Sequence, residues 1–186
     1  MTIIKTEFPG LLIIEPTVFK DSRGYFFESY NEKDFNAQGI DIKFIQDNQS
    51  KSSYGVIRGL HYQLAPHAQT KLIRVLSGKI LDIAVDIRKG SPGYGKVFSI
   101  ELSAENNKQL LIPKGFAHGF SVLSESAEVI YKCDAFYHKE SEAGILFNDA
   151  SLNIDWKIPS DKAIISDKDL VNPSITGCKN NFVFER

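Results

Sequence analysis

"ILDIAVDIR", Ile80 to Arg88, is the stretch whose reading decides the fold. Leu81, Ile83, Val85 and Ile87 fall on one side of a two-residue repeat and Asp82, Ala84 and Asp86 on the other, which is the period of a β-strand and not of a helix. Two aspartates on one strand face must meet either solvent or a polar cavity. On either side, short runs rich in Ile, Val, Phe and Tyr recur between turn signals: "LLIIEP", "YFFESY", "VIRGLHYQ", "KLIRVLSG", "KVFSIEL", "QLLIP", "GFSVLS" and "AEVIYKCD". Many short strands with turns between them predict an all-β sandwich or barrel. One helix interrupts the pattern at "NEKDFNAQG", where Asn31 can cap, acids fill the first turn and Gly39 can terminate. Beyond Trp156 the chain turns polar and is broken by proline and glycine, so irregular structure laid over the sheets is expected there.

The length of 186 residues fits one domain, 1–186, with a core large enough to need no staples. Acidic residues number 23 against 22 basic, so no bulk field exists to hold a nucleic-acid backbone, and any bound anion must be held by a few placed residues. The N-terminus has no basic stretch followed by an apolar one, and no apolar run of about 18 residues occurs. A cytoplasmic protein without membrane or nucleic-acid partners is the expectation. Cys133 and Cys178 lack paired spacing and read as reduced, structural thiols.

Two segments break the apolar pattern. "VIRGLHYQ" sets Arg58 and His61 into a strand of aliphatic and aromatic residues, and "IPKGFAHGF" does the same with His118. Each has an ordinary reading: His61 as a hydrogen-bonded core or rim histidine, Tyr131 as a core tyrosine, and Lys71, Arg58 and Asp169 as solvated charges. Arg74 and Arg88 read as solvated charges or interstrand pairs. In "AEVIYKCD" alternation puts Ala127, Val129, Tyr131 and Cys133 on one face, a single hydroxyl among small or apolar groups.

Pro113, Gly115 and His118 form a Pro-x-Gly-x-x-His pattern that resembles the second half-motif of the cupin superfamily of double-stranded β-barrels. In metal-binding cupins a glutamate ligand precedes a turn glycine by seven residues; counting back from Gly78 gives Lys71 (78 − 7 = 71). An ammonium repels a divalent cation, so a metal-free barrel is favoured over a three-histidine site of His61, His67 and His118. From about residue 10 to about residue 170 the chain closely resembles one branch of that superfamily, the dTDP-4-dehydrorhamnose 3,5-epimerases. The resemblance is carried by the order and spacing of "DSRGYFFESYN", "FIQDNQSKS", "VIRGLHYQ", "KLIRVLSGKILDIAVDIRKGSPGYG", "LSAENNKQLLIPKGFAHGF", "EVIYK" and "ISDKD".

This resemblance implies a double-stranded β-helix (cupin, jelly-roll) barrel with a few short helices, acting as a homodimeric epimerase on a dTDP-sugar with no cofactor and no metal. Inverting two carbons beside a ketone needs a base, a group to hold the enolate oxygen, and an acid on the opposite ring face. His61 matches the family's base and Asp169 the carboxylate that orients it; Lys71 matches the residue beside the C4 oxygen, and Tyr131 the acid. Arg58 matches a diphosphate-holding arginine. Arg23, Glu28, Gln46, Asn48, His118, Glu142 and Lys168 match further nucleotide-sugar positions, with Tyr137 stacking on the thymine. Asp82 is expected to pair with His118. Arg58 and His61 lie an odd number of residues apart, so serving one site requires an irregularity at Gly59. An epimerase inverting only C3 or only C5, and a non-catalytic sugar-nucleotide-binding cupin, remain the competing functions.

Overall fold

A computed structural model describes residues 1–185. In chain order the strands are β1 (Thr2–Lys5), β2 (Leu12–Glu15), β3 (Phe19–Asp21), β4 (Gly24–Phe26), β5 (Gln46–Ser53), β6 (Ile57–Gln63), β7 (Lys71–Ser77), β8 (Lys79–Asp86), β9 (Val97–Ser103), β10 (Gln109–Ile112), β11 (Phe116–Val122), β12 (Ser126–Cys133) and β13 (Glu142–Gly144). Helix α1 (Glu32–Ala37) follows β4, and α2 (Asp167–Leu170) lies in the C-terminal tail. One antiparallel sheet has the order β1-β2-β10-β7-β12-β5 and a second β13-β6-β11-β8-β9, while β3 and β4 form a separate hairpin. The two sheets face each other as the sandwich that the sequence predicts and that the cupin resemblance implies.

Three buried layers hold this arrangement. Ile73, Val75, Leu110, Ile112, Ala127 and Val129 of the first sheet meet Ile80, Ala84, Leu102, Phe116, Phe120 and Val122 of the second to form the central core. The outer face of the second sheet carries Ile83, Val85 and Ile87, and is covered by Leu152, Trp156, Ile175 and Phe182 of the tail. Burying side chains of this size stabilises by about 1.5–3 kcal/mol each, which anchors the irregular tail to the sheet. On the outer face of the first sheet, Ile14, Leu72 and Leu111 pack against Phe35 and Ile40, the first of these from α1. Because both faces of β10 are covered, all four of its residues are buried and none alternates.

The faces of β8 divide as its alternation requires, with Asp82 and Asp86 pointing between the sheets. Neither meets solvent, since both are 0% exposed. Asp86 accepts from Arg88 Nε at 2.9 Å and Nη2 at 2.7 Å, and Arg88 Nη1 also donates to the Pro9 carbonyl. The guanidinium lies between the rings of Phe116 and Phe184. Arg88 is therefore a buried ion-pair partner two residues along from its carboxylate, and neither a solvated charge nor an interstrand pair; stacking and the fork geometry of guanidinium suit it to that place. Arg74 instead rests over the ring of Phe27.

Asn31 caps α1 through Lys33 N and Asp34 N, and Gly39 ends it with φ +81°, as expected. "YFFESY" is strand only as far as Phe26. β1, β3, β5 and β13 are strands that the apolar pattern does not announce. No helix among the described residues is long and apolar enough to cross a membrane.

Candidate active site

Strands β6 and β11 pair with His118 opposite His61 and Phe120 opposite Arg58, so three steps along β6 (61 − 58) match two along β11 (120 − 118). That extra residue reverses the parity of the strand. Gly59 sits at the slip with φ +124°, and a Cβ there would lie 2.5 Å from the Cα of Gly119, so only glycine fits. The consequence is that Arg58 and His61 line one cavity, of about 450 Å³, together with Lys71, His118, Tyr131 and Asp169. His61 and His118 come from the second sheet and Lys71 and Tyr131 from the first. A ring lying between the sheets would present one face to the imidazole and the other to the phenol.

His61 Nε2 lies 2.5 Å from Asp169 Oδ1, across 108 residues of chain. Asp169 is brought there by α2, whose N-cap Ser166 accepts from the Asp169 amide at 3.2 Å. The other carboxylate oxygen accepts from the Gly59 amide at 3.4 Å. Burial alone would raise the pKa of Asp169, but these bonds, led by that from His61, hold it below the ordinary carboxylate value. An ionised carboxylate in this position fixes the orientation of the ring.

His118 makes a second, deeper pair, Nε2 to Asp82 Oδ1 at 2.7 Å, with both side chains buried. The remaining oxygen, Asp82 Oδ2, has no hydrogen-bond partner among the described residues. Lys71 reaches to within 5.9 Å of the centre of the Tyr131 ring. Burial lowers its pKa, while Cys133, Asp82 and Glu142 act in the other direction. Burial, with Cys133 and Glu142 adding to it, raises that of Tyr131, against a lowering influence from Arg58, which leaves the phenol protonated at neutral pH. Arg58 Nε donates to Ser52 Oγ at 3.0 Å, which aims the guanidinium.

A polar rim continues from this cavity. Tyr137 OH donates to Glu142 Oε2 at 2.9 Å, and Glu142 Oε1 pairs with Lys168 Nζ at 2.6 Å. The Tyr137 amide donates to Gln46 Oε1, and Gln46 Nε2 donates to Asn48 Oδ1. Arg23 and Glu28 are not brought to the cavity within the chain: Arg23 pairs with Asp21 on the β3–β4 hairpin, and Glu28 accepts from Asn31. His67 stacks on His138, ring centroids 3.7 Å apart, so the three-histidine arrangement of His61, His67 and His118 does not form. No group of three or more His, Cys, Asp or Glu side chains among the described residues is placed to hold a metal ion.

Sequence reasoning overlooks Ser166 and Ser52, and reads Cys133 only as a structural thiol. The signal for Ser166 is present, because Ser-x-x-Asp is a helix-start pattern. Cys133 is buried beside Asn48 Nδ2, and desolvation pushes its thiol up to about 11.

Residues 5–176 match the profile of the family described as dTDP-4-dehydrorhamnose 3,5-epimerase. A dTDP-4-dehydrorhamnose 3,5-epimerase of Shigella flexneri is 56% identical over 171 residues, 91% of this chain and 93% of that protein. The crystal structure of a dTDP-4-dehydrorhamnose 3,5-epimerase from Elizabethkingia anophelis NUHP1 superposes with TM-score 0.91 at 55% identity, covering 95% of this chain and 97% of that one. A Legionella pneumophila dTDP-6-deoxy-D-glucose-3,5-epimerase, solved in complex with dTDP-4-keto-L-rhamnose, superposes with TM-score 0.90 at 46% identity, covering 95% and 93%.

Proposed function

Because the chain belongs to the dTDP-4-dehydrorhamnose 3,5-epimerase family, we propose that its cavity inverts C3 and C5 of dTDP-4-dehydro-6-deoxy-D-glucose to give dTDP-4-dehydro-L-rhamnose. The C4 ketone acidifies the hydrogens on both neighbouring carbons. His61 removes one of them, the electron pair moves into the ring as an enolate, and the charge gathers on the C4 oxygen. The Lys71 ammonium beside that oxygen stabilises the enolate more than the ketone, which is what lowers a barrier. Tyr131 then gives its phenolic proton to the carbon from the opposite ring face. The imidazolium returns its proton to solvent, the phenolate regains one, and the second carbon follows.

The observation that carries this reading is the His61–Asp169 contact opening on a cavity whose opposite wall holds Lys71 and Tyr131. Arg58, His118 and Lys168 supply cationic or donor groups for the diphosphate, with Gln46, Asn48 and Glu142 around the sugar-nucleotide and Tyr137 under the thymine. The protein works as a homodimer in this reading. The β3–β4 hairpin exposes Phe19, Tyr25 and Phe26, 63%, 58% and 67% accessible, an apolar surface that a second copy would cover. Reaching across, the hairpin and the residues just after it would carry Arg23 and Glu28 to the partner's cavity.

The test is incubation with dTDP-4-dehydro-6-deoxy-D-glucose in D2O, followed by NMR. Deuterium at both C3 and C5 with the L-configured product is expected. Label at one carbon alone would make the protein a 3-only or 5-only epimerase, and no label would make it a binding protein.

A further inference from the structure

We infer that Gln63 is a positioning residue for the nucleotide base, holding the backbone on both sides of Tyr137. The inference rests on Tyr137 stacking on the base, as proposed above. Gln63 ends β6, two residues beyond His61, and is 5% exposed. Its amide nitrogen donates to the carbonyls of His67 at 2.6 Å and Phe136 at 3.2 Å, and its amide oxygen accepts from the His138 N–H at 2.7 Å. The residues before and after Tyr137 are thus tied to one side chain. Only a primary amide can do this, since the site demands two donors and one acceptor on the two ends of one planar group. The same demand fixes its orientation: flipped, it would set oxygen against two carbonyls and NH2 against an N–H.

The main chain of Gln63 adds to the effect by pairing with Glu142, whose carboxylate receives the Tyr137 hydroxyl. Backbone and hydroxyl are fixed, and Tyr137 remains 56% exposed, free to receive a flat ligand. A stacking platform contributes affinity in proportion to how little ordering it must undergo on binding. The stacked pair of His67 and His138 lies on the two segments that Gln63 joins, and adds a second contact between them.

The experiment is a double-mutant cycle on dTDP binding by calorimetry, together with kcat and KM. Tyr137→Ala should weaken dTDP binding by roughly 5- to 150-fold, the range for loss of one base–aromatic stack. Gln63→Met keeps length and removes all three bonds; it should raise the Kd for dTDP and the KM about tenfold and alter kcat by less than about threefold. In the Tyr137→Ala background, Gln63→Met should add little. Hydrogen exchange on the wild-type protein is an independent measure, with the His138 amide expected to be protected before ligand is added. Additive losses in the cycle, a Gln63→Met variant that loses Tm with unchanged Kd, or a His138 amide exchanging at the unfolded rate would each overturn the inference. Tyr137→Ala binding dTDP like wild type would instead overturn the stacking reading on which it rests.

Discussion

Replacing Lys71 by methionine should abolish epimerisation and make the fold more stable. Lys71 projects between the sheets, where burial pulls its pKa below the ordinary lysine value and Cys133, Asp82 and Glu142 only partly oppose this. None of the lysine and arginine ion pairs of the described residues involves it. Methionine fills a similar unbranched volume, so no cavity opens. What disappears is the cost of holding an ammonium away from water. Exchange of buried ion pairs for apolar residues of similar volume is neutral or stabilising by about 1–4 kcal/mol. Partial exposure of Lys71 and the field of Asp82 and Glu142 place this case near the lower end, about 1–2 kcal/mol, or a rise in Tm of roughly 2–8 °C for a chain of this size. The pH dependence has a definite sign. With the folded-state pKa below the unfolded value of about 10.4, the unfolded chain binds the proton more tightly between the two values, and wild-type stability carries a cost at neutral pH that fades as pH rises through that window. Urea unfolding of both proteins at pH 7 and at about pH 9.5 is the assay, and the gap between them should narrow at the higher pH. A variant less stable than wild type at pH 7, or a gap indifferent to pH, would refute the reasoning.

His61→Asn should suppress deuterium uptake at both carbons by about 100- to 10,000-fold, and Asp169→Asn by less, since it removes an orienting group and not the base; equal, small losses would move the base elsewhere. Tyr131→Phe keeps its packing, so its unfolding midpoint should stay close to wild type while exchange continues without full inversion; a 3,5-inverted product at the normal rate would exclude Tyr131 as the acid. Sedimentation at micromolar concentration should give a dimer, and deleting the β3–β4 hairpin should leave monomers with weakened dTDP binding, whereas a monomeric wild type would contradict both.

The strands that the sequence announces are those whose faces are apolar, and the site is where that signal fails for a physical reason. β5, "QDNQSKSS", alternates as faithfully as β8: Gln46, Asn48, Ser50 and Ser52 turn inward, while Asp47, Gln49, Lys51 and Ser53 are exposed. Its inward face is polar, so a hydrophobic reading sees a loop. The irregularity at Gly59 could be anticipated only because two residues of opposite parity were required at one place. The Asp169 contact has no local signature at all, since a pair 108 residues apart is joined by topology and not by spacing. Arg88 departs from the solvated reading because its i, i+2 pair with Asp86 turns inward just past the end of β8, where charge is ordinarily outside.

The His61–Asp169 contact also orders events during synthesis. The last barrel strand, β13, is complete at Gly144, 25 residues before the carboxylate (169 − 144). A nascent or C-terminally clipped chain ending in that interval would contain every strand, the imidazole, the ammonium and the phenol, yet its base would lack the group that orients it. It would also leave Ile83, Val85 and Ile87 only partly covered, because Ile175 and Phe182 would be missing from the layer that packs on that face. Orientation of the base thus depends on a segment made after the last described strand, and a chain stopped short of it would be slower in catalysis and would expose apolar surface.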